Sequence, residues 1–497
     1  MGKYVITLDQ GTTSSRAIVF DSSGNVVGLV KKEHRQIYPK PGWVEHDPDE
    51  IWANQVDVLR SVVENCNIST EDILALGITN QRETIVLWDK NTGRPVYNAI
   101  VWQCRRTADI CDTLIKEGVG DEIHRKTGLI IDAYFSGSKI KWILDSFPNI
   151  RKEAEKDNIC AGTIDTWLIW NLTGGKAHAT DYSNASRTML FNILNLNWDE
   201  DILKMLDIPA SILPEVKPSA SIFGFIDKSI LGREIPIASV MGDQQASLFG
   251  QTCFKAGMAK NTYGTGCFLL ANTGSKAVFS KNKLLTTIAW GIENKVDYAI
   301  EGSVFVAGSA IQWLRDGLKI INTSRQCDEF AESVEDTKGV YFVPAFAGLG
   351  TPYWDMYARG AIFGLTSGVT REHIARATLE AIAYQVKDLV ECMKEDANCD
   401  LNLLKVDGGA SVSDIMMQFQ ADILRINVVR PKVIETTALG AAFMAGLRTG
   451  MWSSFDNITK TWAQDRVFEP KMDEERSRKL YAGWKKAVER SLGWIDS

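Results

Sequence analysis

Short apolar runs, broken by clusters of Gly, Ser, Thr and Asp, open the chain. Residues 4–8, 16–20 and 26–30 each read as a short strand. The turns Asp9-Gln10-Gly11-Thr12-Thr13-Ser14-Ser15 and Asp21-Ser22-Ser23-Gly24-Asn25 join them into a predicted three-strand meander. The period then changes. Asp47 can cap a helix, Pro48 suits its first position, and Asp49 and Glu50 favour its positive dipole end. Trp52, Val56, Leu59 and Val63 follow at helical spacing. Strands are predicted again over 74–78 and 84–88, with the polar tetrad Asn80-Gln81-Arg82-Glu83 between them.

Near Gln251 the order restarts. Residues 258–262 read as a strand, Tyr263-Gly264-Thr265-Gly266 as a glycine turn, and 267–271 as the returning strand. The repeated order predicts two related α/β domains, 1–251 and 252–497. Long helices follow, with an apolar stripe at Ile382, Val386, Leu389, Val390 and Met393. Val406-Asp407-Gly408-Gly409-Ala410 ends a strand at a third glycine turn. A helix starts beyond it near Ser411 or Ser413, with Ile415, Phe419 and Ile423 on one face.

Composition changes the picture little. The 497 residues are 45% hydrophobic and 24% charged, enough for two cores. Net charge is −7 and no Lys/Arg stripe is present, which argues against nucleic acid as a partner. The nine Cys include no Cys-x-x-Cys pair. Cys104 and Cys111, like Cys392 and Cys399, are spaced as two turns of helix, so reduced core thiols are expected rather than a disulfide or zinc framework. The first residues read as a strand rather than a charged leader with an apolar run. No segment nears the ~18 continuous apolar residues of a membrane span, so a cytoplasmic protein is expected.

Turns rich in Gly, Thr and Ser can wrap phosphate oxygens with backbone N–H groups and hydroxyls. Gly11 permits close approach, Arg16 can supply counter-charge, and Asp9 can hold a metal ion through water. One such turn is as readily a plain surface hairpin. Three of them, on two domains, point to a nucleotide. Neither G-x-x-x-x-G-K-[ST] nor G-x-G-x-x-G after a strand is present, which disfavours a P-loop or a dinucleotide fold.

At this level of detail the chain resembles the FGGY family of sugar and polyol kinases. The motifs are LDQGTTSSRAIVF (8–20), GITNQRET (77–84), GDQQASLFGQ (242–251), YGTGCF (263–268) and VDGGAS (406–411). Two further signatures match: YFSGSKIKWILDS (134–146), except at Ser146, and GAIFGLTSGVTREHIARATLE (360–380) throughout. The resemblance implies two actin-like, ribonuclease H-like ATPase domains with an active site in the cleft between them. It implies ATP and Mg²⁺ as the phosphoryl donor system, and a homodimer or homotetramer.

It also implies site residues. Phosphoryl transfer needs a positioned hydroxyl, a metal on the nucleotide phosphates and a proton acceptor. Asp243 matches the family's base, and Asp9 and Asp243 the metal positions. Arg82, Glu83, Trp102, Tyr134, Asp243, Gln244 and Phe268 match the acceptor positions of the family's glycerol-phosphorylating members, which form sn-glycerol 3-phosphate. Another polyol, or a ketose, is the alternative acceptor; an ATP-binding module without an acceptor is a reading from another class. For the nucleotide, the matching positions are Thr12, Thr13, Ser14 and Arg16 on the first turn, Thr265 on the second, then Gly308, Gln312, Gly409 and Ser413. Ser413 departs from an Asn common in the family. Glu234 and Ser229 replace an Arg and a His that serve regulation in some members, so feedback by fructose 1,6-bisphosphate and control by a phosphocarrier are both expected to be missing.

Overall fold

The computed structural model describes residues 3–346, 348–397 and 401–495. Tyr4–Gln10, Ser14–Asp21 and Val26–Glu33 form the antiparallel meander. Each strand outruns its apolar core because polar ends continue the ladder: Asp9 pairs with Arg16 and Gln10 with Ser15. Ile73–Asn80 and then Pro236–Gly242 add to the first strand in parallel, so the sheet holds six strands with the first near its centre.

The second half repeats this plan. Ala259–Tyr263 and Cys267–Gly274 form the hairpin, Lys295–Val304 lies antiparallel beside it, and Leu403–Asp407 and Asn427–Pro431 extend the first strand in parallel. Both sheets thus place a Gly/Thr turn between the first two strands and open parallel neighbours on the other side. In such sheets ligands collect beyond the carboxyl ends of the strands.

The helix Pro48–Asn65 is capped by Asp47, which accepts from the N–H groups of Asp49 and Glu50. Its buried face is centred on Ile51, Val58, Leu59 and Val62, while Trp52 and Val56 sit half-buried at its margin. The predicted stripe was thus correct in period but rotated. On Arg371–Ala397 the five predicted stripe residues are fully buried. Ser413 caps Asp414–Leu424 by accepting from the Met416 N–H. The cysteine spacing is corrected in part. Cys104 lies in a turn closed by its N–H to Val101 O, ahead of the helix Ala108–Lys116 that carries Cys111. Cys399 lies outside the described residues, and the described cysteines are free thiols. Among the described residues no helix is long and apolar enough to cross a membrane.

The two halves are locked together beneath the first sheet. The helix Thr436–Thr449 comes from the second half yet packs under strands of the first: Thr7 Oγ1 donates to Ala438 O at 2.9 Å, and Ser239 Oγ to Ala441 O at 2.8 Å. It crosses the helix Asp243–Gly250 in backbone contact. A Cβ on Gly440 would lie 1.8 Å from Ala246 O, and one on Gly250 2.0 Å from Thr436 O. Neither neighbour is a side chain that could swing away. Gly440→Val is therefore expected to force the helices apart, at a cost above the ~1–3 kcal/mol of ordinary overpacking. Loss of soluble protein, or a melting temperature well below wild type, is the measurable outcome.

Candidate active site

The strand Pro236–Gly242 passes directly into the helix Asp243–Gly250, which puts Asp243 at the first helical position, where the dipole favours a negative charge. Its Oδ1 accepts from the Gln244 N–H at 2.7 Å and lies 3.2 Å from Arg82 Nε. Burial raises its pKa above the usual carboxylate value; Arg82 and Lys260 oppose the rise, and Asp9 and Glu301 add to it. The side chain keeps 31% exposure, so it is open to the cleft.

The polar tetrad follows the strand Ile73–Asn80 at the same sheet edge. Glu83 has φ of 60°, a left-handed conformation that costs energy for a non-glycine residue and is typically kept where function requires it. Arg82 and Glu83 both end up buried, at 2% and 1% exposure. Two charges at that depth need partners, and two residues absent from the sequence reading provide them. Glu301, on Lys295–Val304 of the second half, accepts from Arg82 Nη1 at 2.6 Å and Nη2 at 3.0 Å. Arg187 donates from Nε to Glu83 at 2.6 Å and from Nη2 to Glu301 at 3.2 Å. Burial alone would raise the Glu301 pKa, but Arg187 and Arg82 outweigh it and hold it at about 2. The one sequence signal was a lone acid in the apolar run Tyr298-Ala299-Ile300-Glu301-Gly302.

All seven predicted acceptor residues border one cavity of about 400 Å³: Arg82, Glu83, Trp102, Tyr134, Asp243, Gln244 and Phe268. Trp102 stands edge-on to Tyr134 and Phe268, at 5.6 Å and 6.4 Å between ring centroids, making an aromatic wall, and the Arg82 guanidinium lies over the Phe268 ring at 6.0 Å. Trp102 Nε1 donates to Thr12 Oγ1 at 2.9 Å, which ties that wall to the first Gly/Thr turn. Tyr134 is held from behind. Buried Lys139 donates to the carbonyls of Ala133, Tyr134 and Phe135 at 2.6 to 3.0 Å, and burial lowers its pKa to about 8.

A second cavity of about 680 Å³ shares Gly264 and Thr265 with the first and is bordered by the predicted Gly308, Gln312, Gly409 and Ser413. Gly264, Gly308 and Gly409 are among the residues that border it, and a Cβ on Gly308 would lie 2.6 Å from Gly264 O. Gly408 has φ of +87°, and a Cβ there would meet Tyr263 O at 2.5 Å, so two glycine turns touch through their backbones. Ser413 borders the cavity, but its hydroxyl already donates to Asp328 Oδ1 at 2.6 Å.

Of the first-turn residues, Thr12 borders the smaller cavity, Thr13 is exposed at the tip, and Ser14 is buried in its strand. Arg16 bridges two acids, donating to Asp9 Oδ2 and to Glu435 Oε2 at 2.7 Å. Sequence reasoning also missed Lys260, and it placed Asp407 at the third glycine turn without a role. Lys260, fully buried, donates to Gln244 Oε1 at 2.6 Å, and Asp407 gathers Thr262, Ser247 and Gln251. Lys260 was hidden in a strand that reads as plain core.

Among the described residues no cluster of three or more His, Cys, Asp or Glu could hold a metal unaided. Asp9 and Asp243 lie near enough for Asp9 to raise the Asp243 pKa. Two carboxylates beside a Gly/Thr turn suit a cation such as Mg²⁺, which usually takes one or two protein carboxylates and completes its shell with phosphate and water.

Comparison with known proteins converges on one family. The N-terminal domain model of the FGGY family of carbohydrate kinases matches residues 4–250 and the C-terminal domain model residues 259–448. A glycerol kinase of Caldanaerobacter subterraneus subsp. tengcongensis is 65% identical over 496 residues, covering 100% of both chains. Glycerol kinase 2 of Thermotoga maritima is 63% identical over 492 residues, covering 99% of each. The crystal structure of Plasmodium falciparum glycerol kinase with ADP superposes with a TM-score of 0.92 at 40% identity, over 99% of both chains. A ligand-bound xylulose kinase of Lactobacillus acidophilus, 23% identical, shares the fold with a TM-score of 0.89 over 99% of each. The fold is the duplicated actin-like one that the motifs implied. With matches over both halves and along its full length, the chain belongs to the FGGY family of carbohydrate kinases.

Proposed function

We propose that the protein is an ATP-dependent glycerol kinase, which transfers the terminal phosphoryl group of ATP to a primary hydroxyl of glycerol. The observation that carries this reading is a small cavity bordered both by buried charged groups and by aromatic rings. It meets a larger cavity at Gly264 and Thr265. The full-length likeness to relatives named glycerol kinase supports glycerol over a ketose.

Three hydroxyls on a three-carbon chain call for donors and acceptors on one side and an apolar surface on the other. Arg82 offers an Nη2 N–H beyond the one given to Glu301, and Glu83 offers Oε2, since its Oε1 is the oxygen that receives Arg187. Tyr134 and Gln244 add polar contacts, while Trp102 and Phe268 cover the carbons. Asp243 orients the attacking hydroxyl. As the new O–P bond forms and the bond to ADP breaks, the hydroxyl proton passes to its carboxylate. An ordinary carboxylate is a weak base, so orientation is the larger part of its work.

Thr12, Thr13, Ser14 and Arg16 on the first turn and Thr265 on the second cradle phosphate oxygens, and Gly308, Gln312, Gly409 and Ser413 flank the adenosine. Asp9 and Asp243 would hold Mg²⁺, which neutralises phosphate charge when bound. The family resemblance further supports a cytoplasmic homodimer or homotetramer. A coupled ADP-release assay tests the reading. Release should depend on glycerol, and glycerol should exceed xylulose and other ketoses in kcat/KM. ATP hydrolysis indifferent to glycerol, or a sugar that outcompetes it, would overturn the proposal.

A further inference from the structure

Arg82, Glu83, Arg187 and Glu301 form a closed set of two arginines and two glutamates, each at 2% exposure or less. Three come from the first half of the chain and Glu301 from the second. A surface ion pair can exchange its partner for water, whereas these buried groups depend on one another. Each carboxylate accepts from a guanidinium at 2.6 Å, and Glu301 receives both arginines.

The geometry decides what Arg82 can do. A guanidinium carries five N–H groups in one plane. Glu301 takes one from each terminal nitrogen, Gln245 Oε1 takes the second of Nη1 at 3.2 Å, and Nε faces Asp243 at 3.2 Å. The two-point grip of Glu301 therefore fixes the plane, and with it the direction of the remaining Nη2 N–H. On the other side, Arg187 occupies one oxygen of Glu83 and leaves the second as an acceptor. A positioned donor and a positioned acceptor, side by side, is what an acceptor diol requires.

We propose that Glu301 is a positioning residue of the acceptor site. It acts through Arg82, with Arg187 acting likewise through Glu83, so that the second lobe sets the geometry with which the first lobe grips the acceptor hydroxyls. This rests on the kinase reading above. Neither Glu301 nor Arg187 borders the acceptor cavity. Their effect is on binding geometry, and the nucleotide cavity is bordered by other residues.

The test uses the full chain carrying Glu301→Gln, and the same change combined with Arg187→Met. In Glu301→Gln the shape is kept, but the charge and the second strong acceptor are lost. The glycerol KM is expected to rise at least tenfold, a larger change than the accompanying fall in kcat. ADP affinity, read by calorimetry without glycerol, should stay within twofold. The double variant restores the charge balance, so it should melt at a higher temperature than Glu301→Gln while its glycerol KM stays raised.

A glycerol KM within twofold of wild type in Glu301→Gln would overturn the assignment. So would a KM that recovers along with the melting temperature in the double variant, or a loss of ADP affinity in parallel with the KM change, since either marks a general structural effect. Should Glu301→Gln not fold, Glu301→Asp, which keeps the charge but cannot span both arginines, is read against the same limits. A wild-type chain without glycerol-dependent ADP release would instead sink the kinase reading itself. Wild-type activity with an unchanged variant KM sinks only the role of Glu301.

Discussion

Replacing Asp243 with Asn is expected to lower kcat by about 10²- to 10⁴-fold, the usual contribution of a positioned proton acceptor, while glycerol affinity changes only a few-fold. The amide keeps the size of the side chain, so the pocket shape is retained. An amide oxygen can still accept a hydrogen bond from the attacking hydroxyl, but it cannot take the proton as the O–P bond forms. Arg82 loses a charged neighbour at 3.2 Å yet keeps both bonds to Glu301, so the acceptor-binding groups stay where they were. Steady-state kinetics with saturating ATP, together with a glycerol titration followed by calorimetry, separates the two effects. Turnover within tenfold of wild type would remove Asp243 from the role of base.

The second large effect is expected at Arg82. Arg82→Leu leaves Glu301, Glu83 and Asp243 with Arg187 as the one remaining guanidinium among them. Removing one partner of a buried ionic set typically costs about 3–5 kcal/mol, because the survivors keep their desolvation penalty without its compensation. The melting temperature should fall measurably, and glycerol kcat/KM should drop by about three orders of magnitude or more as the donor and the alignment of Asp243 disappear together. Arg82→Lys retains the charge but not the planar fork, and a point charge cannot satisfy both oxygens of Glu301 and still reach Asp243. It should regain stability before it regains glycerol turnover. Recovery of both in step would mean that charge alone, not fork geometry, is what the site needs.

Much of this site was legible because its residues stand in short segments whose local pattern is unusual. A Gly/Thr/Ser turn between two strands, a polar tetrad between two apolar runs, and an Asp at a strand-to-helix junction each depart from what a core or a surface asks for. Chain order alone also revealed the duplication, since each half opens with strand, glycine turn, strand. The apolar stripe of the long helix Arg371–Ala397 followed from its period, whereas the stripe on Pro48–Asn65 was displaced. Periodicity gives the spacing of a buried face, but the neighbouring sheet chooses which residues lie at its centre. Cys104 and Cys111 show the converse error: a spacing that fits a helix says nothing when a turn intervenes.

The two-domain α/β class, the three glycine turns and the residues that border the smaller cavity could be read from the chain alone, because these depend on neighbours within a few positions. What the tertiary structure alone decided was how the charges are balanced. Glu301 meets Arg82 across 219 positions of chain, Arg187 meets Glu83 across 104, and Arg16 meets Glu435 across 419. An ion pair has no local signature; a buried charge is tolerated only if folding brings its partner to within hydrogen-bonding distance, and that is a property of the closed chain in three dimensions.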